Sequence, residues 1–561
     1  MEREPPCANP ERGLTPVIRL RLPDHRPALA AGMPARPKFL HVLGLGLRTA
    51  GVEWRLRRRG SGPADQAAAL ASLLPRLAAA SHWRALGVEA RLGYGAFRSR
   101  LPLQTHASIA PAVARMVAGE TGVLWPGACR LFARTAGVAD GTRRLVPVTE
   151  ELLAHFQRAG LRAVLHHAVA VRHAGVFRGR HLLLGGPAAV EPARTDGCGG
   201  AMAGDLSGIA VLGLPAWAAL HLHEPGLAAA AIADPDQRLA ATLARAAGAD
   251  LTLIAGIPGE IVAFARASLA AQGKRPEAAS LKERWPNLEC VVHGGESPGF
   301  HADALHELIG PGVRLHEFYA ATEAFIAAQE GEASNGLRLL TDQGVFFEFL
   351  PPEALETGAP ENAGRHAVPL AGVKVGVDYA LLVTTPGGLV RHLLEDVVRF
   401  TSLNPARLRV VGRTGRRLDA FKENLHERDL TGALTAVCRR HGWRIVDFHV
   451  APQITVETLV GERRGRHEWW IELNSGTTTT PTGPQLAADL DTQLAAMHPD
   501  YAVRRSRGAL EAPVARLVMP GVFEHWRRFH GRWGGQHKMT RCSRDRLIAG
   551  ELEAITDFAP H

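Results

Sequence analysis

The run AAALASLLPRLAAASHW, from Ala67 to Trp83, is built from strong helix formers and gives way to ALGVEARLGYGAF, whose glycines suit a turn. It predicts an amphipathic helix at the start of the first domain. Between Leu124 and Pro147 an apolar run, a glycine-rich polar stretch and a second apolar run predict two short strands joined by a loop. TEELLAHFQRA follows, with Thr149 placed to cap a helix and Glu151 in its first turn. Three apolar runs then read as buried strands of an α/β sheet, each leading through a turn into helical sequence: IAVLGL (209–214), LTLIAG (251–256) and LECVVHGG (288–295). GVFFEFL (344–350), DYALLVTT (378–385) and LRVVGR (408–413) are β-branched or aromatic runs between proline and glycine turns. They predict a smaller antiparallel or barrel-like sheet attached to the first.

The texture changes after Arg413. TGRRLDAFKENLHERDLTGALTAVCRR reads as mainly helical, WRIVDFHVAPQI and HEWWIELN alternate like paired half-buried strands, and PTGPQLAADLDTQLAAM returns to helix. The expected architecture is a large N-terminal α/β domain over 36–412 with the barrel-like sheet attached, and a smaller, mobile α+β domain over 413–561. A disordered lead is expected over 1–35. At 561 residues and 46% hydrophobic, the chain has material for two cores.

No apolar run approaches the roughly 20 residues that span a bilayer, so no membrane partner is expected. The first 35 residues lack the continuous apolar stretch of a secretory signal. Cys7, Cys129, Cys198, Cys290, Cys438 and Cys542 are scattered without CxxC spacing, as befits free thiols in a cytoplasmic protein. A net charge of +10 raises the question of nucleic acid. The basic clusters RLRRR (55–59) and RRSRGAL (from Arg504) have no interleaved aromatics for base stacking, so a solvated surface is the better reading and no nucleic-acid partner is expected.

The most informative segment for chemistry is RTAGVADGTRRLVP, from Arg134 to Pro147. Gly137 and Gly141 free successive N–H groups to curl around a phosphate, Thr135 and Thr142 add hydroxyls, and Arg143 and Arg144 add charge. Taken alone, such a stretch is more often a plain glycine-rich turn, and GxxxxGK[ST] is absent. In order along the chain there follow RWPNLECVVHGG (284–295), EFYAATEA (317–324), FFEFLP (346–351), YALLVTTPGGLVRHLLEDVVRF (379–400), VVGR (410–413) and GGQHKMTR (534–541), with FRSRLPLQTH (97–106) ahead of the loop. With these motifs the chain, from about residue 67 to 555, resembles the acyl-adenylate-forming acid–amido synthetases related to the plant auxin-responsive GH3 proteins.

The resemblance implies a large domain of the adenylate-forming type, with ATP and Mg²⁺ as cofactors and a small carboxylic acid and an amine, usually an amino acid, as substrates. Thr135, Gly137, Gly141, Thr142 and Arg144 would hold the ATP phosphates, Arg144 at the family's lysine position. Gly294 and Gly295 would bring backbone against adenine, and Tyr319 would lie over the adenine or adenylate. Thr322 and Glu323 would face phosphate and Mg²⁺. Asp396 would accept from the ribose hydroxyls, Arg413 would sit on the hinge side, and Lys538 would be delivered by the small domain to the reacting centre. The residue types suit these roles: an ionised carboxylate accepts two hydroxyls, a glutamate is a hard oxygen ligand, and a lysine is a mobile point charge. Each residue taken singly has a plainer reading, as a salt-bridge partner for Asp396, a surface glutamate for Glu323 and a solvated lysine for Lys538.

The chain also departs from the family pattern. Ala136, Val138 and Ala139 stand where the loop carries hydroxyl residues, His392 where a tyrosine is usual, Glu395 where a glycine precedes the aspartate, and Thr540 where a proline is common. Three outcomes stay open on sequence: an active amide-forming ligase, a protein of the same fold that binds nucleotide or acyl adenylate with impaired catalysis, and adenylation with transfer to a thiol. A monomer is the simplest expectation.

Overall fold

The computed structural model describes residues 62–135, 144–194, 200–275, 279–295, 301–355, 360–414, 417–457, 463–474, 481–530 and 539–558, with Gly51 and Glu53 besides. The opening helix, Gly62–Ala79, buries Leu70, Leu73, Leu74 and Leu77, the i, i+3, i+4, i+7 stripe of an amphipathic helix. A short helix, Ser81–Ala85, places Trp83 in the core. Its indole N–H donates to the carbonyls of Leu124 at 3.1 Å and Gly388 at 2.9 Å, so the tryptophan is buried without leaving its donor unpaired.

One mixed sheet of twelve strands, spanning Arg180 to Arg413, organises the larger part of the chain. Its parallel half runs Arg314–Ala320, Cys290–Gly294, Leu251–Gly256, Arg180–Leu183 and His223–Glu224 in spatial order. From the other edge of Arg314–Ala320 the antiparallel half continues through Phe325–Gln329, Leu337–Leu339, Ala406–Arg413, His392–Leu403, Asp378–Thr384, Phe346–Leu350 and Val368–Pro369. The strands expected at 344–350, 378–385 and 408–413 are present, but they extend the first sheet and do not form a separate barrel-like one. The reason is the hairpin between Arg314–Ala320 and Phe325–Gln329, which carries the ladder across from one half to the other. Phe347, Phe349, Leu381, Val398 and Phe400 fill the core under the antiparallel half, and Ile254, Phe264, Trp285 and Val291 that of the parallel half.

The run 209–214 is not a strand. Residues Leu206–Leu212 form a helix, started by the Asp205 carboxylate accepting the Ser207 N–H at 2.8 Å. A six-residue apolar run carries no periodicity that separates strand from helix, and the capping residue in front of it decides. The strand lies just before the cap, at Met202–Asp205, and joins Leu131–Arg134, Leu145–Pro147 and Val190–Pro192 in a four-stranded sheet.

Strands Leu131–Arg134 and Leu145–Pro147 pair antiparallel, as the pattern predicts, and Thr149 caps Glu150–Val171 by accepting the Leu152 N–H at 3.1 Å. The C-terminal part packs the helices Glu427–His441 and Gly483–Met497 on a three-stranded sheet of Ile445–Glu457, Arg463–Leu473 and Val514–Val518. Leu430, Leu434, Trp469, Leu486 and Leu490 form its core. Cys129, Cys290 and Cys438 are buried free thiols, Cys542 is buried, and Cys7 and Cys198 lie outside the described residues. Among the described residues no helix is long and apolar enough to cross a membrane.

Candidate active site

The strand Arg314–Ala320 is the seam of the large sheet, bonded parallel on one side and antiparallel on the other. Ligand crevices in α/β sheets open at the carboxyl ends of strands where the topology switches. Tyr319 lies near that end. Its hydroxyl donates to Asp396 Oδ2 at 2.7 Å, and Arg413 Nε donates to Asp396 Oδ1 at 2.9 Å. Asp396 and Arg413 face each other directly across adjacent strands. Burial first, and then the Asp396 carboxylate, hold the Tyr319 phenol well above its usual range, so the hydroxyl stays a donor. One bond to each Asp396 oxygen leaves lone pairs free, and the carboxylate keeps 16% of its side-chain surface exposed. It can therefore take further donors without losing its orientation.

Beyond Ala320 the chain turns at once. Reciprocal backbone bonds between Ala321 and Ala324, at 2.9 and 3.3 Å, close a tight hairpin with Thr322 and Glu323 at its tip. Hairpin tips are ordinarily exposed, yet Glu323 is buried. Its Oε1 meets His106 Nε2 at 3.1 Å, and the His392 ring stands edge-on to His106 with centroids 4.6 Å apart. Burial pushes the Glu323 carboxyl upward, but His106 and then His392 outweigh it, and the group titrates below its ordinary value. Burial, followed by His106, lowers His392 to about 3. Neither nitrogen of the His392 ring has a hydrogen-bond partner among the described residues, although the residue has no exposed surface. Leaving a buried polar group unpaired costs about 1–3 kcal/mol. A carboxylate beside phosphate suits Mg²⁺, which takes few protein ligands and keeps waters and phosphate oxygens, so Glu323 fits a nucleotide-borne Mg²⁺.

The roots of the glycine-rich segment are pinned together by the Thr135 N–H on the Arg144 carbonyl at 2.9 Å. Thr135 Oγ1 is buried without a partner among the described residues, and Arg144 reaches Glu395 at 3.6 Å. Gly137, Gly141 and Thr142 lie outside the described residues, as does Lys538. Past Lys538, residues 539–542 run along Ile445–Glu457, with Val450 donating to the Arg541 carbonyl at 2.9 Å. Glu395 has φ +64°, the left-handed conformation that a glycine would supply at no steric cost, so the residue adopts the bend despite its side chain. Gly295 is also left-handed, at φ +81°, while Gly294 has a packing reason of its own: a Cβ there would lie 2.6 Å from the Phe318 carbonyl oxygen.

The residues to which sequence reading gives no role are His106, His392 and Arg391. Arg391 is fully buried and donates through Nε to both Glu348 oxygens at 3.0 and 3.2 Å. It also donates to the carbonyls of Gly364 at 2.6 Å, Arg98 at 2.9 Å and Leu101. This guanidinium ties the 97–106 segment to the sheet, and Gln104 pairs with the strand on either side of His392 through bonds of 3.1 and 2.9 Å to Arg391 and Leu393. His106, two residues on and directly after the Thr105 cap, is thereby set against Glu323. The Thr–His pair ahead of a helical run was the available sign. His166 and His167 are core residues of the helix Glu150–Val171 and stand apart from these contacts.

Models of three domains match this chain: the GH3 family N-terminal domain at residues 63–208, the GH3 family central domain at 338–413 and the GH3 family C-terminal domain at 428–547. The chain is 27% identical over 280 residues to an indole-3-acetic acid-amido synthetase, GH3.8, of Oryza sativa subsp. indica, an alignment spanning 46% of this chain and 44% of that protein. It is 25% identical over 589 residues to a probable indole-3-acetic acid-amido synthetase, GH3.4, of Oryza sativa subsp. japonica, covering 88% of this chain and 89% of the relative. Its fold is shared with the solved GH3.15 acyl acid amido synthetase, with a TM-score of 0.69 at 18% identity over 89% of this chain and 93% of that one.

Proposed function

Because the chain belongs to the GH3 family, whose domain models together match more than half of it, we propose that it activates a small carboxylic acid with ATP and passes the acyl group to the amine of an amino acid. The observation that carries this reading is the fixed carboxylate of Asp396, clamped by Tyr319 and Arg413 beside the Glu323 hairpin tip at the switch point of the sheet.

In the first half-reaction a carboxylate oxygen attacks the α-phosphorus in line, an O–P bond forms, the bond to the bridging oxygen breaks, and pyrophosphate leaves with the electron pair. Asp396 takes the ribose hydroxyls, and Arg413 and Tyr319 hold it in place for them. Thr135 and Arg144 border the phosphates, with Gly137, Gly141 and Thr142 supplying backbone N–H groups and a hydroxyl between them. Gly294 and Gly295 bring backbone near adenine, with Tyr319 beside it. Thr322 and Glu323 face the phosphates. When bound, Mg²⁺ neutralises the charge that pyrophosphate carries away.

In the second half-reaction the amine nitrogen attacks the acyl carbonyl, the C–O bond to AMP breaks, AMP leaves, and the ammonium proton passes to solvent. Lys538, carried by the C-terminal part, balances charge on the α-phosphate in the first step. Movement of that part between the steps would exclude water from the anhydride. No covalent nucleophile is required. Glu395, standing where the family has a glycine, takes the left-handed conformation that a glycine would, which supports the active enzyme over an impaired binder.

The test is pyrophosphate release across a panel of carboxylic acids with ATP and Mg²⁺, repeated with mixed amino acids and, separately, with a thiol acceptor. Acid-dependent pyrophosphate and an amide product are expected. A well-folded sample that neither binds ATP nor turns over would sink the reading, and a thioester product would move it to the thiol-transferring class.

A further inference from the structure

His106, Glu323 and His392 come from three separate elements: the first turn of the helix His106–Val117, the hairpin tip after Arg314–Ala320, and the start of the strand His392–Leu403. One donor atom from each lies within 4.8 Å of the others, the one such grouping of three potential ligands among the described residues. The 3.1 Å hydrogen bond between His106 and Glu323 accounts for those two side chains. It leaves His392 unexplained. A residue needed only to fill space at a site with no exposed surface would be apolar, whereas both nitrogens of this ring are buried and unpartnered next to an ionisable carboxylate and a second imidazole.

We propose that these three side chains form a resident site for a first-row divalent transition metal, with Zn²⁺ the ion that fits best. Two imidazoles and one carboxylate are the donor set of open zinc sites, whereas Mg²⁺ and Ca²⁺ select oxygen ligands. At metal–ligand bonds of about 2.0–2.2 Å, neighbouring donors stand roughly 3–3.5 Å apart, a spacing His106 and Glu323 already have, and the His392 donor lies within 4.8 Å of both. Three protein ligands leave a coordination position open. Because a carboxylate has two oxygens, Glu323 can hold this ion and still face the Mg²⁺ that arrives with nucleotide. The binding of the ion stands on its own. It does not depend on the reading of the cleft as an ATP site.

The experiment uses the full chain, stripped by dialysis against a chelator and titrated with Zn²⁺ in competition with a chromophoric chelator, then with Co²⁺ as a spectroscopic surrogate. One tight equivalent of Zn²⁺, a Co²⁺ visible spectrum of low coordination number, a raised unfolding midpoint on Zn²⁺ addition and no displacement by excess Mg²⁺ are expected. His392→Ala and His106→Ala should each weaken Zn²⁺ binding by about 100-fold or more. The exposed His366→Ala should leave it unchanged. No tight equivalent in the wild type, or equal binding by wild type and the two ligand variants, overturns the proposal. Should His392→Ala fail to fold, His106→Ala, which carries a less buried ring, decides alone. A chain that binds Zn²⁺ at this site but never adenylates an acid supports the metal site and sinks the proposed function. Adenylation without Zn²⁺ uptake does the reverse.

Discussion

Charge is used in opposite ways inside the large sheet and at its border with the C-terminal part. Inside, Arg391 and Glu348 each have about 1% of their side-chain surface exposed, and the guanidinium satisfies three backbone carbonyls besides its carboxylate. At the border, Arg439 meets Asp303 at 2.6 Å, Arg528 meets Asp236 at 2.8 Å and Arg444 meets Glu307 at 3.4 Å, and every one of these groups is roughly half exposed. A fully bonded buried pair fixes a geometry, because separating it strands a charge in a poor solvent. An exposed pair gives up little when it opens, because water replaces the partner. The site geometry is thus set by contacts that do not let go, while the neighbouring domain is held partly by contacts that do.

Acid should break this comparison most strongly. Burial lowers His155, His166, His223 and His293 to about 4, and His316 to about 3, all of them outside the C-terminal part. In the C-terminal part His449 is likewise lowered to about 4. The unfolded chain takes up these protons near pH 6.5 and the folded one does not, so stability falls as pH drops from about 6.5 toward 4 and levels off below the folded values. A loss of several kcal/mol is expected, concentrated in the large domain, and hydrogen exchange at pH 7 and pH 5 would locate it. Equal protection at both pH values would contradict the assignment of neutral core histidines.

Next in size, Glu348→Ala should cost about 3–5 kcal/mol in urea denaturation by stranding Arg391, with a partial return in a double variant that also removes the arginine. Asp396→Ala should weaken binding of a non-hydrolysable ATP analogue by about 100-fold or more in calorimetry, the worth of two charge-assisted bonds, with folding retained. Unchanged affinity would reject Asp396 as the ribose acceptor. Glu395→Gly should stabilise the chain by about 1 kcal/mol in thermal melts, because it removes a side chain from a left-handed bend. Smallest of all, Asp303→Ala should shift stability by under about 1 kcal/mol, with a difference from wild type that shrinks as salt is added.

How much of this was legible in the chain depended on what encodes each feature. Periodicity gave the opening helix, the paired strands around the glycine-rich segment and the helices and strands of the C-terminal part, because those elements carry one buried face. It failed at residues 209–214, where a short apolar run took its state from the Asp205 cap, and it divided in two a sheet that a single hairpin makes continuous. Ordered motifs singled out Tyr319, Asp396 and Arg413, and the fold brings them into bonding contact. They did not single out His106 and His392, because 286 residues separate two rings that meet only when Gln104 pairs beside the strand. Such a meeting is written in tertiary contacts, and no local window contains it.

The bond from the Thr135 N–H to the Arg144 carbonyl joins the two residues that flank positions 136–143, directly beyond the paired strands. The sequence between them can be varied against that fixed base. Hydroxyl residues could be written back in place of Ala136, Val138 and Ala139, singly or together, while the flanking strands keep their register, so the worth of each lost donor can be read one residue at a time.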